Sequence, residues 1–580
     1  MKLPYSILGL AGIAGILLAT GCASPAHRPV PGSAGQSAAA VVPPITISDD
    51  FLADDAAETA ARSSTNGNAD AFAHYAAGIS FEWNDEDELA LKQFDLAALA
   101  DPSNEGLVIK VAQRYLKTKR YDKAIALLAK SAKRPDASGL LLSWLARANL
   151  QAGKTRDALT ASRQAIQHQP GGFDGYESQV EIYFRQGRWS DALHTLNRAA
   201  RAIHPEPEVM VNLCGLYSAY LKAQPKDGAA RTNTVALLDR VAKMNFPSTR
   251  LWTAVADIYT QAGQPKKAVA IYIKLLSQTP EPSVVRESLH EKLAGIYFEA
   301  EDKTNATKQL EAIVRDNPTR YPRAWFFLGE LAYEDDKLAE AVDDYENALH
   351  WDPGMAEAYF KLVLVQLDLH RTEDAFKTLA VARARFPKTF LCECYTGIAY
   401  LHDKRYAEAI HHFTEAEVIG LATDPNALDY RFYFQFGEAC ERNQDLKRAD
   451  ECLQKCINLS PDFSEALNYL GYMLADSGQQ LLRARALIEK AVALEPKNGA
   501  YLDSLAWVLF KLKQPQQALP WALKAMKYTP EADATVLDHL GEIYMALHEP
   551  AKAIEAWKKS LSIESNPDVK KKLDSYSGGA

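Results

Sequence analysis

Beyond residue 18 the chain has no apolar run approaching the ~20 residues that a membrane-spanning helix needs, which excludes a helical span there. A surplus of basic residues is also missing. Lys and Arg number 65 against 74 Asp and Glu, for a formal net charge of -9. Phosphate-backbone binding needs Lys and Arg in excess on some face, so nucleic acid is excluded as the main ligand. The spacing patterns of common catalytic sites do not occur either. There is no GxxxxGK[ST] phosphate loop, no HExxH zinc pair and no GxSxG nucleophile turn. The spaced glycines of GLAGIAG, residues 9–15, have no strand before them and make no dinucleotide site. No enzymatic activity, cofactor, metal site or small-molecule substrate is therefore expected.

What is present begins at the N-terminus. Lys2 precedes an apolar core from about Ile7 to Leu18, followed by Ala19, Thr20, Gly21 and Cys22. That core is too short to span and reads as a cleaved export signal, residues 1–21. The stretch Thr20-Gly21-Cys22 resembles the lipobox of bacterial lipoproteins, with Ala19 standing where Leu is commonest. The resemblance implies that Cys22 becomes the acylated first residue of the mature protein, since several acyl chains anchor stably where one is marginal. Ala23 in place of Asp implies the outer membrane, periplasmic face; the alternative is an ordinary signal cut near Ala23 that leaves a soluble periplasmic protein. Residues 22–69 are rich in Ala, Pro, Ser and Gly and are expected to act as a tether, about 46 residues reaching roughly 40 Å. One short helix is predicted in SDDFLADDAAETAAR, capped by Ser48 or Asp49.

The rest of the 580 residues, 47% hydrophobic and 24% charged overall, is several times one domain, so it holds either several domains or repeats. A period decides for repeats. Alanines recur 34 residues apart at Ala90, Ala124, Ala158 and Ala192, and the series resumes at Ala268, Ala306, Ala341, Ala375, Ala409, Ala449, Ala484, Ala518 and Ala553. In the unit 322–355, Trp325, Leu328 and Gly329 share one helix face, Ala341, Tyr345 and Ala348 share another, and Asp352-Pro353 ends the second helix. This pattern resembles the tetratricopeptide repeat, with its Trp, Leu-Gly, Tyr, Ala, Phe, Ala and Pro at fixed places. The resemblance covers about residues 70–566 in fourteen units and implies an all-α, right-handed α-solenoid of helix-turn-helix repeats.

Four regular units are expected over 70–206, an irregular unit with a long loop over 207–248, nine more over 249–566, and a capping helix and tail over 567–580. The loop of the irregular unit is placed in QPKDGAARTN, and a second surplus, IGLATDPNALDY, follows Ile419; either could be a joint or ordinary loop drift. Asn566 and Pro567 are read as the cap and first turn of the closing helix.

Six cysteines remain besides Cys22: Cys214, Cys392, Cys394, Cys440, Cys452 and Cys456. Cys440 and Cys456 fall at interior repeat positions, where free Cys packs as a small hydrophobe, and are the first pair to test for a disulfide in an oxidising compartment. His411 and His412, beside Glu415, are read as an ordinary surface helix.

What remains is a binding surface. In the family that the chain resembles, the first helix of each unit lines a concave groove. Carrying those positions over gives Phe326, Glu330, Tyr333, Glu334, Phe360, Asp368, Phe434, Glu438, Glu441, Tyr472, Asp476, Asp503, Trp507, Phe510, Asp538 and Glu542. Such an acidic, aromatic lining suits protein partners that present an extended or helical segment with basic and apolar side chains. By the same resemblance the chain is a non-catalytic, lipid-anchored scaffold in envelope assembly or secretion, serving pilus, exopolysaccharide or outer-membrane protein machinery. The alternative is an adaptor or regulator of periplasmic peptidases or cell-wall hydrolases.

Overall fold

The computed structural model describes residues 68–529 and 533–577. The export segment, Cys22, most of the tether and the short helix expected near Ser48 lie outside them. Among the described residues there are twenty-nine α-helices, one short 3-10 turn at Pro425–Ala427, and no strand. Twenty-eight of the helices form fourteen hairpins. The first pairs Asn68–Trp83 with Asp87–Ala100, the last pairs Ala534–Ala546 with Pro550–Ile563, and Pro567–Ser577 follows singly.

One hairpin shows why the sequence folds this way. Pro322 opens Pro322–Glu334 at its first position, where no backbone N–H is needed. Asp336 then takes a left-handed conformation with φ 63°, and the amides of Asp336 and Lys337 donate to the carbonyls of Tyr333 and Ala332 at 3.1 and 2.9 Å. That closure satisfies the last carbonyls of the first helix and reverses the chain. Leu338–Trp351 follows and stops before Asp352-Pro353. Where the two helices cross, a Cβ added to Gly329 would lie 2.8 Å from the Tyr345 ring. The same approach recurs between Gly397 and Phe413 at 2.9 Å and between Gly437 and Leu453 at 2.7 Å. Every alanine of the periodic series is fully buried.

The chain divides into two compact units, one ending at Ala312 and the other beginning at Ile313. In the first, apolar clusters run from Ala90 to Ile182 and from Ile166 to Ile296. In the second, one cluster runs from Tyr359 to Ile543.

Both irregular stretches differ from the sequence reading. The long loop expected in 207–248 is a four-residue turn, because Pro207–Ala223 extends to 17 residues and GAARTN opens the helix Gly228–Val241, capped by Asp227. Asp227 Oδ1 accepts from the Ala230 amide at 2.9 Å, and Oδ2 from the Tyr220 hydroxyl at 2.9 Å, so a turn-rich composition served as a helix cap. After Ile419 the surplus lengthens Tyr406–Thr423 to 18 residues and adds the 3-10 turn. Leu428 there packs into the same cluster as the hairpins on either side, so neither surplus interrupts a core. At the C-terminus Asn566 Oδ1 accepts from the amides of Asp568 and Val569 at 2.9 and 3.3 Å, and Val569 is buried against Ala553 and Trp557.

Two substitutions test this geometry. Lys404 holds φ 60° in the turn after Phe390–His402, and Lys404→Gly is expected to stabilise the chain by about 1 kcal/mol. Gly397→Ala is expected to destabilise it by about 1–3 kcal/mol, since the Phe413 ring has no room to withdraw. Urea unfolding of the two variants beside the parent measures both.

Candidate functional site

The positions inferred for the groove divide into two kinds. Phe326, Phe360, Phe434 and Trp507 are between 2% and 8% exposed, so they pack inside the unit and offer a ligand almost no surface. Phe360 stacks on Tyr395 with centroids 4.9 Å apart, Phe434 meets Phe463 and Tyr469, and Trp507 stacks on His539 at 3.9 Å. These rings join one hairpin to the next, a use of aromatic surface that competes directly with ligand anchoring. Tyr333, Tyr472 and Phe510 remain half-buried.

Most of the carboxylates are answered from the following hairpin. Glu330 accepts from the Tyr345 hydroxyl across its own hairpin and from Lys361 Nζ at 2.7 Å. Tyr333 donates to Asp368 at 2.7 Å, and Tyr469 to Glu441 at 2.8 Å. Trp507 Nε1 donates to Asp476 at 3.2 Å, and His539 Nδ1 meets buried Asp503 Oδ2 at 2.8 Å. Lys572 of the closing helix bridges Asp538 at 2.9 Å and Glu542 at 2.7 Å. The inter-hairpin partners among them, Lys361, Tyr469, His539 and Lys572, were not found from the sequence, although each stands about one repeat from its carboxylate. Pairing donors and acceptors at the repeat period would have shown them.

Glu438 is the exception. Burial pushes its carboxyl above the usual carboxylate range, Arg442 offsets part of that, and the neighbouring charges of Glu441 and Glu465 add to it. Glu465, on the next hairpin, is raised as well by burial and by Glu495. Over the four hairpins 430–459, 464–494, 499–528 and 534–563, the first helices carry seven Asp and Glu against three Lys and Arg. A half-buried carboxylate in an acidic neighbourhood gains when a cation reaches it.

The histidines need correction. His411 is exposed, but His412 stacks on Tyr400 at 5.3 Å and its Nδ1 meets Glu393 Oε2 at 2.7 Å, so it belongs to the interior of its hairpin. The six described cysteines are free and buried. Cys440 and Cys452 act on each other's ionisation, which raises the Cys440 thiol and lowers that of Cys452. Among the described residues no group of His, Cys, Asp and Glu could hold a metal, and no helix is long and apolar enough to cross a membrane.

Five segments match tetratricopeptide repeat models: residues 144–206, 251–285, 292–356, 332–390 and 430–463. A TPR repeat-containing protein of Pseudomonas aeruginosa is 31% identical over 38% of this chain and 36% of its own length. The type IV pilus assembly protein PilF of the same organism is 26% identical over 23% of this chain and 53% of its own. The chain thus spans about a third of one relative and half of the other. Among solved structures, the Cut9 and Hcn1 hetero-tetramer of the APC/C aligns over 90% of this chain and 97% of that one, at 16% identity and a TM-score of 0.37, which is too loose to carry an argument. With fourteen hairpins of one register and repeat models matching in both units, the chain is a tetratricopeptide-repeat protein.

Proposed function

We propose that this protein is a non-catalytic scaffold that gathers protein partners in the bacterial envelope, anchored by lipid at Cys22 on the periplasmic face of the outer membrane. The likeness to a pilus assembly protein supports an envelope role. The first-helix face of hairpins 430–459 to 534–563 takes a partner segment with basic and apolar side chains. One observation carries this reading: Glu438 is half-buried and held protonated more tightly than an ordinary carboxylate, in a face with more than twice as many acids as bases. A lysine or arginine brought there relieves a cost that the fold carries alone. Tyr472 and Phe510 supply half-buried aromatic surface nearby, whereas the buried rings serve the stack.

Stability and binding then move in opposite directions. The folded chain binds the Glu438 proton more tightly than the unfolded chain does, so stability falls as pH rises from the ordinary value of 4.5 through the raised one. Glu438→Gln is expected to be more stable than the parent near pH 7, with the gain vanishing below about pH 4.5, in thermal unfolding scans across pH. The same variant, and Asp476→Asn, are expected to lose most in-cell crosslinks to protein partners. Unchanged capture by both variants removes the groove assignment. Cys22→Ser is expected to release the protein from the membrane fraction; persistence of acylated protein there refutes the anchor.

A further inference from the structure

The second helices of the last four hairpins carry the opposite charge from the first. Leu446–Leu459, Leu481–Leu494, Pro515–Tyr528 and Pro550–Ile563 hold eleven Lys and Arg against four Asp and Glu. The patch is bounded on one side by the preceding second helix, Tyr406–Thr423, which holds no Lys or Arg. Each of the four basic helices also ends in one register. The last residue is apolar or aromatic, and a lysine stands one helical turn before it: Lys455 and Leu459, Lys490 and Leu494, Lys524 and Tyr528, Lys559 and Ile563.

Three of the four terminal residues, Leu459, Leu494 and Ile563, are between 41% and 54% exposed, as is Leu523 on the third helix, while Lys524 and Tyr528 are half-buried. Three of the four lysines have acidic partners, Lys455 with Glu417 at 2.8 Å, Lys490 with Asp462 at 3.1 Å and Lys559 with Glu555 at 2.8 Å; the last two pairs are exposed, so water and salt weaken them, whereas Glu417 is largely buried. Lys524 lies over the Trp521 ring at 5.0 Å. Beside that ring a cleft of about 290 Å³ is lined by Val492, Ala493 and Trp521 of the second and third of these helices and by Leu505 and Leu509 of the first helix between them, with Gln517 and the ion pair of Arg485 and Glu489 completing the lining. Exposed leucines interleaved with a surplus of lysines, and a largely apolar cleft beside Lys524, match a surface of anionic headgroups over hydrocarbon.

We propose that this second-helix face binds an anionic lipid surface, with the lysines on the headgroups, the terminal leucines and isoleucine at the acyl boundary, and the cleft accepting the end of one acyl chain. The face is separate from the acidic first-helix face, so the two can be occupied together. The inference does not depend on lipidation at Cys22.

Co-sedimentation of the full chain carrying Cys22→Ser, so that no covalent lipid contributes, tests it with vesicles of phosphatidylcholine alone and of phosphatidylcholine mixed with phosphatidylglycerol. Binding is expected to the mixed vesicles and not to the neutral ones, weakening as salt rises. Replacing Lys490, Lys524, Lys527 and Lys558 together by Gln is expected to lower the affinity at least tenfold, since each basic residue near such a surface is worth roughly fivefold. Leu494→Ser with Leu523→Ser, both exposed, is expected to weaken it as well while leaving the circular dichroism spectrum unchanged. Glu438→Gln, on the other face, is expected to leave vesicle binding unchanged while it reduces partner capture. Equal sedimentation with neutral vesicles, no binding to either, or binding that survives the lysine substitutions overturns the proposal; no binding to either is the result expected if an acidic protein is the partner of this face.

Discussion

Two helices of about thirteen residues cannot bury enough apolar surface alone, and everything in this molecule follows from how closely each pair must approach to share a core with the next. The approach is set by glycine or alanine on one helix against a ring or branched side chain on the other. Gly329 on Tyr345, Gly397 on Phe413 and Gly437 on Leu453 leave no room for a further methyl group. The alanines at the repeat period lie at the same crossings without exposure. Small residues there allow backbone contact, and the large partners fill the space that remains. Because each hairpin completes the core of its neighbour, stability is a sum over adjacent interfaces.

That constraint also decides where polar groups go. Once the crossing faces are spent on packing, the remaining positions of a first helix lie beside those of the next first helix. A carboxylate there meets whatever the next repeat presents, and in this chain it usually meets a donor: Glu330 with Lys361, Glu441 with Tyr469, Asp503 with His539, and Asp538 with Lys572. The face is therefore less acidic in effect than its composition implies. Glu438 stands out because its burial, with the charges of Glu441 and Glu465, outweighs the help of Arg442. The second helices pair at the repeat period as well, Lys455 with Glu417 and Arg483 with Asp450, but over the last four hairpins their basic residues outnumber their acids.

Much of the fold was legible in the sequence. A period of 34 with small residues in phase admits few architectures, since only a repeated hairpin places every such alanine at a crossing. The stop signals were legible too: Asn566 caps the closing helix as its type and position imply. Composition misled where one residue type serves two structures. QPKDGAARTN is rich in turn formers, yet Asp227 capped a helix through it, because an Asp that can accept from an amide three residues on starts a helix as readily as it starts a loop.

The sequence by itself determined the architecture and the number of hairpins, both of which rest on local periodicity and short patterns. The tertiary structure alone decided which side chains of the first helices are available. Phe434 and Trp507 fit the repeat positions of a ligand-binding rung, but packing between hairpins took them. His412 turned inward on Glu393 while His411 stayed out. The physical reason is common to all of these. Periodicity fixes which face of a helix a residue occupies, whereas its partner across the interface depends on crossing angle and on the neighbour's side chain, and neither is written in the residue's own repeat.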